Sequence, residues 1–146
     1  MVETTFIDKK EDFPAELDSP KLAEFLHGSL KPFEDPVPEI LAGIEYALSP
    51  NDRRGGFIAL ARENGVLVGA LVMLFTHMEG YVPPNLLLFV AVSPSMRGKG
   101  VGGRLIRESI ARCRGPVKLH VEYDNPAKRL YERLGFESKY AEMRHE

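Results

Sequence analysis

The sequence predicts an α/β fold, a three-layer α/β/α sandwich around a mixed, mainly antiparallel sheet. Three observations carry this. Apolar residues recur with strand and helix periods in the order β α α β β β α β α β. Asn64-Gly65 joins two apolar runs, which is a type I′ hairpin signal and makes the centre of the sheet antiparallel. Helical segments fall both before and after that centre, so each face of the sheet has a cover. The 146 residues make one domain, 1–146, long enough to bury a sizeable core.

In chain order, Val2 to Ile7 reads as a short first strand, and residues 9–17 as polar loop. Asp18-Ser19-Pro20 combines an N-cap side chain with a proline suited to a first helical turn. Leu22, Phe25 and Leu26 follow at helical spacing, and Gly28 marks a stop. Pro32, Pro36 and Pro38 punctuate a loop, and Pro38 opens a second helix whose apolar face is Ile40, Leu41, Ile44 and Leu48. Phe57 to Arg62 and Val66 to Thr76 are the hairpin strands. Leu86 to Val92 is a continuous apolar, partly β-branched run, the expectation for a buried central strand. Val101 to Arg114 is helical, with Leu105, Ile106, Ile110 and Cys113 inward and Arg104, Arg107, Arg112 and Arg114 toward water. Val117 to Tyr123 alternates as a strand. Asn125-Pro126 opens a last helix that Gly135 ends, and Phe136 to Arg144 is a closing strand, a surface on which a homodimer can form.

Composition narrows the function. No apolar run reaches the ~18 residues of a membrane span, and no secretory signal opens the chain. One cysteine, Cys113, excludes an internal disulfide, and a cytoplasmic setting is expected. No His, Asp and Glu cluster has ligand spacing, so no metal is expected. The net charge is −2, with 11 acidic and 4 basic residues in 1–50 and 10 acidic and 15 basic residues in 51–146. This asymmetry suits a basic part facing an anionic cofactor and an acidic part facing a cationic substrate, or else an ordinary solvated surface. No basic stripe is interleaved with aromatics, so nucleic acid is not an expected partner.

The stretch Asn85 to Gly103, NLLLFVAVSPSMRGKGVGG, organises the chain. A strand runs through Ser93-Pro94-Ser95 into a basic glycine loop, Arg97 to Gly103, and then into a helix. Glycines admit a ligand close to the backbone, and the free N–H groups of a helix start favour an anion. The implied ligand carries phosphate, a pyrophosphate above all. A Walker A loop requires Ser or Thr after Gly-Lys, and here Gly100 follows Lys99. Gly98, Gly100 and Gly103 do satisfy the dinucleotide fingerprint, with Glu122 placed for a ribose. However, Ser93 to Arg97 intervene between strand and first glycine, and too little chain follows Glu122 to complete a doubly wound sheet.

Arg97-Gly98-Lys99-Gly100-Val101-Gly102, fitting R-x-x-G-x-G after V-A-V-S-P, resembles the pyrophosphate loop of the GNAT superfamily of acyl-CoA-dependent N-acetyltransferases. Asn125 to Phe136, NPAKRLYERLGF, is similar to that superfamily's N-x-x-A-x-x-L-Y-x-x-x-G-F helix. The resemblance covers essentially the whole chain and implies an acyl-CoA N-acyltransferase fold, with acetyl-CoA as co-substrate and a primary amine of a small molecule or peptide as acceptor. It implies that the backbone of Gly98, Lys99, Gly100, Val101 and Gly102 cradles the pyrophosphate, with Arg97 ordering the loop. It also implies that Val90 N–H faces the thioester carbonyl, that Val92 and Asn125 contact the pantetheine arm, and that Tyr131 protonates the leaving thiolate. The amine also needs a base. Some family members place Glu near the start of the central strand, where this chain has Asn85 and Leu86. The candidates are His120, favoured for a mid-strand position beside the cofactor strand, with Glu79, His77 and Glu122 as competitors. The alternative is a non-catalytic acyl-CoA sensor or regulatory module. Glu34, Asp35, Glu39 and Glu45 around the second helix hint at a cationic acceptor.

Overall fold

The N-cap expected at Asp18 forms: its Oδ1 accepts from the Lys21 N–H at 2.9 Å, and helix α1 runs Ser19–Leu30, two residues beyond the stop expected at Gly28. Helix α2 is Val37–Ala47. The computed structural model, which describes residues 1–50 and 52–146, places five strands in one sheet in chain order. They are β1 (Val2–Ile7), β2 (Gly56–Glu63), β3 (Val66–Phe75), β4 (Asn85–Val92) and β5 (Val117–Leu119). The first three pairings are antiparallel and β4–β5 is parallel. Helix α3 (Val101–Arg112) makes the crossover between β4 and β5, and α4 (Ala127–Arg133) follows β5.

Strand alternation divides the core into two layers. Ile58 and Leu60 of β2 face Leu22, Leu26, Ile40 and Ile44 of α1 and α2. Phe57, Ala59 and Ala61 face Val101, Leu105 and Ile106 of α3, with Leu130 and Leu134 of α4 packed beside them. This is the three-layer arrangement expected. Leu22, Leu26, Ile40 and Ile44 are fully buried, so truncating any of them to Ala costs ~2–5 kcal/mol.

The register of β3 against β4 shifts once. Val72 pairs with Phe89 and Met73 with Leu87, which leaves Leu88 as an extra residue. Leu88 and Phe89 consequently both pack against the α1–α2 layer. Such a bulge bends its strand, and this one sits where β4 loses its other neighbour, because β4–β5 pairing ends at Leu87 with Leu119.

Three expectations change. Strand β5 stops at Leu119, so His120 lies just beyond its end and not in mid-strand. The segment 137–146 forms no strand and is exposed throughout, so the closing strand expected at Phe136 to Arg144 is not formed. The physical reason is a short template: a three-residue strand offers little edge to pair with, and Glu137, Lys139, Glu142 and Arg144 give the segment no apolar face. Finally, Arg104 and Arg112 do not simply face water. Arg104 Nη1 donates to Val2 O at 2.6 Å, and the Arg112 guanidinium lies 4.3 Å from the Phe6 ring centre and 4.7 Å from that of Phe57. Long cationic side chains cover apolar surface in this way. Among the described residues no helix is long and apolar enough to cross a membrane.

Candidate active site

Ligands of open α/β sheets bind outside the carboxyl ends of parallel strands, where neighbouring strands part. In this chain β4 and β5 part after Leu87 and Leu119, and a narrow cleft of about 90 Å³ opens between them. One wall is Leu87 to Val90 of β4, and the other is Leu119 to Glu122. Asn125 and Tyr131 also line it, as do Leu30, the last residue of α1, and Phe33 and Asp35 of the α1–α2 connection.

Asn85 sets where the strands part. It is a buried amide, and its Nδ2 donates to Arg114 O at 2.7 Å and to Pro116 O at 3.1 Å, latching the turn before β5 to the first residue of β4. Beyond Leu87 the β5-facing edge of β4 is unpaired. Ser93 N–H bonds to Val68 O of β3 at 2.9 Å, so the alternation of an antiparallel ladder aims Ala91 at β3 and Val92 and Val90 at the open side.

The glycine loop lies at the end of that open edge. Gly98 and Gly100 have φ of 78° and 81°, a left-handed conformation that glycine adopts without steric cost. A Cβ built on either meets nothing within 4 Å, so the space over the loop is open. Gly100 is the N-cap of α3 and offers no side chain to the free N–H groups of the first turn. These features fit a bound phosphate group. The Arg97 side chain, by contrast, turns to α1: its Nη2 donates to Ser29 O at 2.6 Å and its Nε to Val92 O at 3.3 Å. The loop is thereby tied to the last turn of α1, where a cation suits the helix dipole.

Asn125 stands one residue before Pro126, the N-cap of α4; its Oδ1 accepts from the Ala127 N–H at 2.9 Å, and its Nδ2 donates to Glu122 Oε1 at 3.3 Å. Tyr131 is half-buried, edge-on to Phe136 with ring centres 5.9 Å apart. Burial, with the Glu122 carboxylate adding to it, pushes its phenol up to about 12. His120 and Glu122 line the cleft beside it. Glu79 and His77 are not among the lining residues: Glu79 is exposed in the β3–β4 connection, and His77 Nε2 donates to Arg54 O at 2.6 Å. Burial raises the Cys113 thiol to about 11, in keeping with a packing role. Among the described residues no three His, Cys, Asp or Glu side chains gather as metal ligands.

Residues 20–136 match the model of the family described as Acetyltransferase (GNAT) family. The chain belongs to this GNAT acetyltransferase family. Solved structures agree on the fold. A GNAT aminoglycoside N-acetyltransferase in complex with CoA superposes with a TM-score of 0.72 at 20% identity, covering 100% of this chain and 94% of that one. A ribosomal-protein-alanine N-acetyltransferase from Brucella melitensis biovar Abortus 2308 gives 0.67 at 18% identity, covering 100% and 99%. A transcriptional regulator from Bacillus halodurans C-125 gives 0.71 at 20% identity, covering 99% of each. No curated protein sequence matches the chain.

Sequence reasoning missed four features of this candidate site. Asn85 was read only as a departure from the family pattern, not as a latch. The Arg97–Ser29 tether joins segments 68 residues apart, which no local pattern reveals. Asp35 is one of the four acids that hint at a cationic acceptor, but that it and Phe33, unlike Glu34, Glu39 and Glu45, line the cleft depends on how their loop folds back. Gly43 did carry a signal, since glycine inside a helix is costly. A Cβ there would lie 2.5 Å from Leu88 Cδ2, so Gly43 admits the bulged Leu88 against α2.

Proposed function

We propose that this protein transfers an acetyl group from acetyl-CoA to a primary amine by direct attack within a ternary complex. The observation that carries the reading is that the open glycine loop and the cleft holding His120 and Tyr131 share one parted strand pair. Backbone N–H groups of Gly98, Lys99, Gly100, Val101 and Gly102 hold the pyrophosphate, and the free edge at Val92 and Val90 receives the pantetheine arm as an added strand. Asn125 contacts that arm from the other side.

His120 takes the proton of the attacking amine as its lone pair forms the N–C bond. Val90 N–H stabilises the oxygen as it gains charge, and the C–S bond then breaks. Tyr131 donates a hydrogen bond to the departing sulfur. With its phenol held at about 12 and a thiol near ~8.5, complete proton transfer is uphill by roughly 5 kcal/mol. A cationic acceptor beside Glu122 offsets the carboxylate that helps to raise Tyr131, so the acceptor itself brings this acid closer to the range it needs.

The test is CoA release by purified protein with acetyl-CoA and a broad panel of primary amines. Turnover that falls at least ~100-fold in Tyr131→Phe supports the assignment. Acetyl-CoA binding with no turnover on any amine leaves the sensor reading in its place. No binding of acetyl-CoA removes both.

A further inference from the structure

The lining of the cleft has a definite chemical character. Its charged side chains are Asp35 and Glu122, both carboxylates, and no Lys or Arg lines it. Leu30, Phe33 and Leu88 also line it, and none of them is fully buried, so they present apolar surface to whatever enters. The cleft volume of about 90 Å³ is roughly three waters' worth, enough for an ammonium group and its first few carbons.

The loop that carries Phe33 and Asp35 is held in place before any acceptor arrives. His27 Nδ1 donates to Asp35 O at 3.0 Å, Phe33 N–H bonds to Leu30 O at 2.8 Å, and Arg97 holds Ser29 O at 2.6 Å. A fixed wall loses little freedom on binding, so its chemistry selects the ligand instead of adapting to it.

We infer that the acceptor is a primary amine on an apolar alkyl or aralkyl arm with no carboxylate next to the amine. This rests on the acetyltransferase reading and narrows it. The ammonium is drawn in by Asp35 and Glu122 and gives one proton to solvent, so that the neutral amine has a single proton left to pass to His120 as it attacks, while the first carbons of the arm lie along Leu30, Phe33 and Leu88. A carboxylate on the neighbouring carbon would sit against two like charges, and Arg144, the cation near Asp35, is already paired with Glu142, so amino acids are rejected.

Phenethylamine, phenylalanine and phenylalanine amide test this directly, because the first two differ by the carboxylate and the third keeps its bulk without its charge. The expected order of kcat/KM is phenethylamine, then the amide, then phenylalanine, with at least about a tenfold gap between the last two. Phe33→Ser should raise KM for phenethylamine about tenfold, and Asp35→Asn should shrink the gap between amide and amino acid, with acetyl-CoA affinity unchanged in both. Circular dichroism confirms folding of each variant. Equal turnover of phenylalanine and its amide, or a KM indifferent to both substitutions, overturns this acceptor assignment alone. Absence of turnover with every amine of the wider panel overturns the acetyltransferase reading and this one with it.

Discussion

Replacing Arg97 by Met keeps an apolar stem and removes the guanidinium, which separates two roles that the loop sequence alone cannot. If the side chain serves phosphate, affinity suffers; if it ties the loop to α1, stability suffers. In the structure the guanidinium makes one short bond, to Ser29 O at 2.6 Å, and one long bond, to Val92 O at 3.3 Å. A hydrogen bond from a charged donor contributes ~1.5–3 kcal/mol. The charge also stands at the last turn of α1, worth a further ~0.3–1 kcal/mol. Ser29 is nearly buried, so little water can replace the lost donor. The expected loss is ~2–3 kcal/mol, or about 5–10 °C in Tm for a chain of this size. Thermal unfolding of the ligand-free protein reads the first quantity, and calorimetric titration with acetyl-CoA reads the second. The expected result is the Tm loss with less than about a tenfold change in Kd, because the backbone donors of the loop remain. A Tm within about 1 °C of wild type together with a Kd weakened about a hundredfold would refute the tether.

Three further outcomes are expected. Gly100→Glu puts bulk and negative charge over the open loop and should abolish acetyl-CoA binding, while Gly65→Glu, at nearly the same φ (79° against 81°) in the β2–β3 turn, should bear a similar strain of ~1–2 kcal/mol and bind normally; equal binding by the two variants would discard the loop as phosphate site. Tyr131 is raised from 10.0 to about 12, so folding favours its protonated form: that stability is intact below pH 10 and is lost as pH rises toward 12. Spectrophotometric titration of wild type minus Tyr131→Phe should show one late-titrating phenol, and the variant should lack this part of the alkaline loss of stability. Gly43→Ala gains ~1 kcal/mol of helix propensity but crowds Leu88 at 2.5 Å; Leu88 is half-buried and can swing into the cleft, so Tm should move little while acceptor KM rises several-fold with acetyl-CoA Kd unchanged.

What could be read from the sequence follows the range of the forces involved. The Asp18 cap, the Asn64-Gly65 turn and the two-period apolar pattern are local, and each appears where expected. The left-handed conformations of Gly98 and Gly100 are local too. Strand lengths at the sheet edge were not legible. Val117 to Tyr123 alternates well enough for seven residues, yet pairing stops at Leu119, because β4 bends away at the Leu88 bulge and takes the template with it. The same bend moves His120 off the strand and into the cleft, so the residue was chosen for a position it does not hold. Phe136 to Arg144 shows the converse error: Phe136 and Tyr140 are strand formers, but the charged residues around them leave no apolar face and no long edge is there to pair with. The placement of the acceptor side was least legible of all: Asp35 stands out as one of four acids, but that it and Phe33 line the cleft depends on a proline-rich connection held by His27 and Arg97, at a distance in the chain.

The half-open edge of β4 makes the central strand chemically two-sided. Amides on its closed side, Ala91 among them, are committed to β3, whereas those of Val90 and Val92 have no strand partner. Amide hydrogen exchange should therefore show a residue-by-residue alternation along a single buried strand, slow and fast by turns, in the ligand-free protein. A partner that docks along this edge would erase the alternation without moving the strand. The sheet thus reports occupancy through the exchange of Val90 and Val92 alone, a signal independent of turnover and readable for any compound that completes the sheet.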